Sequence, residues 1–404
     1  MKKGVNPPDL SSSNKSLKIQ KLENFIAKNH THLLLKGLYG SSKSFFINQI
    51  FKNFDRNIFW ILDNKEDAGY HYGDLENFFN EKKLYFYPSS YNRENNFKNT
   101  NSQNIFRRTE FIRNYQKNKN LTVTYPDALF EKIIINKELK KRKINLKVND
   151  VLNLETFNEK LFDLSFERVD FVVEPGNFSV RGGIVDVFSF SNDLPYRIEF
   201  FDNEIESIRS FEIESQISNK SFKSIEILGD VENKEIDYER QNIFDFIEEN
   251  SFIICENIEL LKNSFSKSFD KLNKIGLNNI ENIFYNGDLL LNDLKKFKII
   301  ELNRIDKKIP EIKFDIGQQP AFNKKFKLLI ENISSFYEKD HTVKIYCSNK
   351  TQIKRFQDIF ELNNLSFNPV LIDKAIYKGF IDHDSKQVCY SDHEIFERYH
   401  KFNL

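Results

Sequence analysis

Two rhythms of hydrophobic and polar residues divide this chain. From about 17 to 130, short apolar runs alternate with stretches in which apolar residues recur every three or four positions. The runs at 33–35, 58–62, 84–87 and 121–125 read as buried strands. Phe46, Ile47, Ile50 and Phe51 share one face of a helix expected over 44–54, and further helices are expected over 65–79 and 102–117. Strand, helix, strand in this order predicts a parallel sheet covered by helices.

From 168 to 213 the period becomes two, with turn formers at Glu174-Pro175-Gly176-Asn177 and Asp202-Asn203. That pattern predicts a small antiparallel unit, preceded by a helix or two over 150–164. A mixed pattern returns over 229–316, with a strand at 251–255. The last stretch predicts helices over 323–337 and 351–362 and strands at 342–347, 367–371 and 387–391. Residues 398–404 end in a helical pattern without a cap. The expected boundaries are a loose tail at 1–14, an α/β unit at 15–130, the antiparallel unit at 131–228, the second half of the α/β unit at 229–316 and a further small α/β unit at 317–404. No internal repeat or heptad pattern is visible.

Composition narrows the function classes. The 404 residues suffice for two to four domains at about 150 residues each. Sixty basic residues face 59 acidic ones, a net charge of +1, so no global basic field exists to hold nucleic acid. Weak, non-specific DNA binding at most is expected. Three widely spaced cysteines, Cys255, Cys347 and Cys389, suit a reducing compartment better than a disulfide framework. The first 13 residues lack the apolar stretch of a signal peptide, and no run approaches the ~20 residues that span a bilayer. A cytoplasmic protein with no membrane partner is expected.

Gly37-Leu38-Tyr39-Gly40-Ser41-Ser42-Lys43-Ser44 follows a predicted strand and opens a predicted helix, the placement of a phosphate-binding loop. Gly37, Lys43 and Ser44 fit the pattern. Ser42 stands where the second required glycine belongs, and a Cβ there crowds a phosphate. No apolar strand ending in an acidic pair is evident to supply a magnesium ligand. The residues favour a degenerate loop, Gly37, Gly40, Ser42, Lys43 and Ser44, over a working nucleotide site.

The antiparallel segment carries the strongest signal. In Tyr196-Arg197-Ile198-Glu199-Phe200-Phe201, alternation places Tyr196, Ile198 and Phe200 on a buried face and Arg197, Glu199 and Phe201 on the other. Phe201 is anomalous, a large aromatic beside an arginine on a polar face; such residues anchor protein interfaces. Arg181, ending the preceding strand before Gly182-Gly183, can join that surface. The alternative is that a helix of the same unit covers Phe201, with Arg197 paired to Glu199 or Glu206.

The run from Glu174-Pro175-Gly176-Asn177-Phe178 through Arg181-Gly182-Gly183, Asp186, Tyr196-Arg197-Ile198-Glu199-Phe200-Phe201 and Glu204-Ile205-Glu206-Ser207-Ile208-Arg209 closely resembles the UvrA-interaction domain shared by UvrB and the transcription-repair coupling factors. Gly182-Gly183 and Phe200-Phe201 favour the coupling factors. The flanks resemble that family too: the degenerate loop at 37–44, Lys65-Glu66-Asp67-Ala68, Tyr85 to Tyr91 and Tyr125 to Phe130. The likeness is strong over about 30–210 and weaker beyond. It implies degenerate RecA-like, UvrB-like α/β lobes with an inserted antiparallel α+β interaction domain. It also implies that Arg181, Arg197 and Phe201 contact UvrA. Full-length relatives continue into a domain that meets RNA polymerase and into motor domains that use ATP and magnesium on DNA, none of which is present in these residues.

Other constellations carry less. Asp382-His383-Asp384 with His393 lacks the spacing of a closed metal site. His30-x-His32 reads as loop, and Lys140-Lys141-Arg142-Lys143 as a solvated face. The reading is a non-catalytic adaptor that recruits UvrA in transcription-coupled nucleotide excision repair, with no cofactor of its own. The rival is an ATP-dependent repair enzyme of the UvrB type.

Overall fold

A computed structural model describes residues 13–28, 31–79, 83–91, 100–115, 119–233, 236, 238–275, 280–302, 304 and 306–398. Most of the expected N-terminal tail, His30, the last part of the 102–117 helix and residues 399–404 lie outside these.

The apolar runs build one seven-stranded sheet in the order Glu311–Lys313, His32–Lys36, Lys298–Glu301, Phe252–Cys255, Ile58–Ile61, Leu121–Thr124, Leu84–Tyr87. Every pairing is parallel. Strands from both sides of the antiparallel unit therefore interleave in a single sheet. All four residues of the Ile58–Ile61, Phe252–Cys255 and Leu121–Thr124 strands are buried. Helices cover both faces of such a sheet, which is why these strands read as continuous apolar runs rather than alternating ones. Among the covering helices is Ser13–Ala27, which lies in a stretch with no element expected before 33. Its Ile19, Leu22 and Phe25 enter the main core.

The chain leaves this sheet after Thr124 and returns at Phe252. Between them lies a six-stranded sheet in the order Ser218–Ser221, Glu204–Phe211, Tyr196–Phe201, Ile184–Val187, Asn177–Arg181, Glu167–Arg168. It is antiparallel except for its last pair. Its inner face packs on the helix Leu154–Asp163, whose Phe157 and Leu161 are fully buried. Asn153 caps that helix, its side chain accepting from the Glu155 and Thr156 N–H groups.

Buried Arg108, on the helix Ser102–Asn114, ties the two units together. Its Nε donates to Glu232 Oε1 at 2.6 Å, and its Nη1 to the carbonyls of Pro88 and Ala128 at 2.9 and 3.0 Å.

A five-stranded mixed sheet, in the order Ile316–Gln318, Phe380–Asp382, Gln387–Ser391, Thr342–Cys347, Val370–Asp373, forms the last unit with the helices Phe326–Glu338 and Lys350–Leu362. It has its own core around Leu329, Ile345 and Phe356. Its Tyr346, Ile372, Ile376, Phe380 and Cys389 belong instead to the core of the main sheet. The molecule is thus mixed α/β, with one large parallel sheet and several smaller ones. No helix among the described residues is long and apolar enough to cross a membrane.

Candidate protein-docking face

The hairpin strand Tyr196–Phe201 follows the alternation, with Tyr196, Ile198 and Phe200 buried and Phe201 71% exposed. Pairing fixes what lies beside each outward residue, because directly opposed residues point to the same side of a sheet. One outer row runs Ser179, Asp186, Arg197, Arg209; the next runs Arg181, Ile184, Glu199, Ser207. Gly183 lets the turn between Asn177–Arg181 and Ile184–Val187 come close to the strand Tyr196–Phe201. A Cβ there would lie 2.7 Å from the Phe200 carbonyl oxygen, and the Phe200 N–H donates to the Gly183 carbonyl at 2.7 Å.

The two arginines share one acid. Arg197 grips Asp186 with two bonds, Nε to Oδ1 at 2.8 Å and Nη2 to Oδ2 at 2.9 Å. Arg181 Nη2 also donates to Asp186 Oδ2. Asp186 is 1% exposed. Arg197 further donates to the Gln216 carbonyl at 3.2 Å and stacks over Phe211 at 4.6 Å. The expected partners Glu199 and Glu206 are not those of Arg197. Glu199 instead takes Arg209 and Ser207. Nor does a helix of the unit cover Phe201. The face therefore holds two oriented guanidinium groups around one buried carboxylate, with an uncovered aromatic at the hairpin end.

Apolar residues surround this centre. Val151 bridges to Glu204, which also pairs with Phe201, so Val151 and Phe201 flank Glu204 on one face. Val151 is 80% exposed. Phe171 lies under the Arg181 guanidinium at 5.8 Å, and Ile217 follows the residue that holds Arg197; both are exposed. Sequence reasoning missed these three, which lie outside the regular strands and helices. Exposed apolar side chains beside oriented arginines are residue types that protein-binding patches use.

The phosphate-type loop is built differently from a working one. Gly37 and Gly40 take positive φ, +90° and +53°. Ser42 is fully buried, and its hydroxyl accepts the Tyr39 N–H at 2.9 Å and donates to the Tyr39 carbonyl at 2.6 Å. Lys43 is paired with Glu256 at 2.7 Å. Ser44 donates to Asp74 at 2.9 Å and lies 2.7 Å from His71. Where the sequence showed no strand ending in an acidic pair, a single acid two strands away in the sheet meets the loop lysine. It is Glu256, after Phe252–Cys255, and a single acid behind an apolar run was the available signal. It borders a cleft of about 230 Å³ lined by Asp63, Pro126 and Asn257.

The remaining candidates do not converge. Asp382 receives Ser385, Asp384 pairs with Lys18, and His393 lies beside Ser391. Among the described residues no three His, Cys, Asp or Glu side chains form a metal-binding group. Lys141 and Lys143 are tied to Glu138 and Glu226. All three cysteines are buried thiols.

Comparison with known proteins meets this geometry at the same segment. A family model described as the UvrB interaction domain matches residues 144–232. The transcription-repair-coupling factor of Bacillus subtilis (strain 168) is 29% identical over 195 residues, which is 48% of this chain and 17% of that protein. The transcription-repair-coupling factor of Staphylococcus haemolyticus (strain JCSC1435) is 28% identical over 199 residues, 49% of this chain and 17% of that protein. The match spans under a fifth of the length of these relatives. Residues 144–232 thus match the UvrB interaction domain, and over about half its length the chain is similar to transcription-repair-coupling factors.

Proposed function

We propose that this chain is a non-catalytic adaptor module that docks UvrA in transcription-coupled nucleotide excision repair. The observation that carries this reading is Phe201, 71% exposed beside Arg181 and Arg197, inside the segment that matches the UvrB interaction domain. Arg197 is already oriented by Asp186, so little side-chain freedom is lost when a partner arrives. A guanidinium whose inner edge is held by one carboxylate can still offer outward N–H groups to a second. Phe201 would fill a dry socket on UvrA while Arg181 and Arg197 meet its carboxylates.

In this reading the chain needs no ATP or magnesium. Contacts with RNA polymerase, and any strong hold on DNA, belong to parts of the longer relatives that this chain does not match, and the working compartment is the cytoplasm. The test is calorimetry of UvrA against the chain and against Phe201→Ala. Loss of such an anchor weakens binding by about 2 kcal/mol, roughly thirtyfold. No measurable binding by the unaltered chain, or equal binding by both, overturns the reading.

A further inference from the structure

The loop at Gly37–Ser44 is not an open cradle, because a strap from the last unit lies across it. The Ser41 N–H donates to the Lys378 carbonyl at 3.1 Å, and the Lys378 N–H donates back to Ser41 Oγ at 3.0 Å. Three further bonds hold the strap on the helix Lys65–Glu76 and the residue that follows it. The Tyr377 N–H meets Asp74 Oδ1 at 2.6 Å, Asn77 Nδ2 donates to the Ala375 carbonyl at 2.7 Å, and Lys374 donates to the Asn77 carbonyl. Tyr377 stacks flat on Tyr70, with ring centres 4.2 Å apart and planes 6° from parallel. Gly40 is where the strap comes nearest. A Cβ at that position would stand 2.9 Å from Lys378 Cβ and 3.1 Å from the Lys378 carbonyl oxygen. Behind the strap, Phe45 of the loop helix meets Phe380 edge-on at 5.4 Å.

We infer that the phosphate-type loop is a docking socket for residues 374–380 of the same chain, and that this contact fixes the last unit on the main sheet. Each part of the loop serves that use. The Ser41 amide, a donor of the kind that cradles phosphate in working loops, is given to a peptide carbonyl. Ser42 closes the loop on itself, and Glu256 neutralises Lys43, so no positive charge is left to repel a peptide or to call for an anion. Asp74, which receives Ser44 on one oxygen, receives the strap on the other. A loop that elsewhere holds a nucleotide here holds a domain, which gives residues 316–396 a role: they are latched to the main unit at the place where nucleotide would otherwise enter.

The inference stands apart from UvrA docking, and its test involves no UvrA. Hydrogen exchange is followed at the Ser41, Tyr377 and Lys378 amides of the whole chain. In the unaltered protein all three are protected and open together. Tyr377→Ala removes the stack without touching the loop backbone and should raise their exchange roughly tenfold or more, while Ile198 and Ile208 in the interaction sheet keep theirs. Gly40→Ala, which pushes on the strap from the other side, should do the same. Exchange of the three amides at open-chain rates in the unaltered protein overturns the inference. So does Tyr377→Ala leaving them unchanged.

Discussion

At the scale of single residues, the docking face separates two kinds of anchor. Phe201 makes its contribution only when a partner arrives, because 71% of it lies in solvent. Arg197 is at work already, holding a carboxylate that is 1% exposed. Phe201→Ala should therefore leave unfolding within about 0.5 kcal/mol of the unaltered chain. Arg197→Ala should lower it by about 1–3 kcal/mol, because buried Asp186 keeps only Arg181 and loses both bonds of the fork. Urea unfolding of both variants checks this; equal stabilities would show that Asp186 does not depend on Arg197. The alternation of apolar and polar residues made Phe201 legible in the sequence, since one strand decides it. Asp186 as the shared acid was not legible, because its link to Arg197 crosses between strands and depends on their register. Val151 was hidden for the same reason, its place beside Phe201 being set by a bridge from outside the hairpin.

At the scale of elements, strands and helices of the large sheet could be read from their periods, and the loop between His32–Lys36 and Ser42–Asn53 could be read from its glycines. What the elements do to each other was less readable. The helix Ser13–Ala27 is rich in lysine, serine and asparagine, and among its described side chains Ile19, Leu22 and Phe25 mark the buried stripe. The strap at 374–379 has almost no regular structure of its own, so no period announces it. Its consequence for the loop is testable. A nucleotide at 100 times its dissociation constant stabilises a protein by about 2.7 kcal/mol. Millimolar Mg-ATP should leave the melting temperature of this chain unchanged, since Ser42, Glu256 and the strap fill the loop's contacts. A rise that grows with nucleotide concentration would instead support the rival reading of an ATP-dependent enzyme.

At the scale of the whole molecule, the interaction domain departs from the large sheet and returns to it through a buried charged junction. Arg108, Glu131, Glu232 and Arg240 are all within it. No sequence pattern forecast this, because its members come from distant segments and each looks like a surface charge alone. Asp230 lies at the same junction. Burial lifts its carboxyl to about 6, against the Glu232 N–H that bonds it at 2.8 Å and the nearby Arg142 and Arg240; the Glu232 charge raises it further. The unfolded carboxyl titrates near 3.8. Between those values the folded chain binds the extra proton, so this group's contribution to stability falls as pH rises through about 6 and stays low above it. Asp230 is then a cost at neutral pH. Asp230→Asn keeps an oxygen to accept the Glu232 N–H and removes the charge. It should melt higher than the unaltered chain at about pH 7.5, and the gap should narrow as pH falls toward about 5, where folded Asp230 is mostly protonated, closing only below about 3.8, where the unfolded carboxyl is protonated too. Thermal melts at the two pH values decide it. A gap that is the same at both, or a variant that melts lower at neutral pH, would mean that attraction to Arg142 and Arg240 outweighs the cost of burial at this junction.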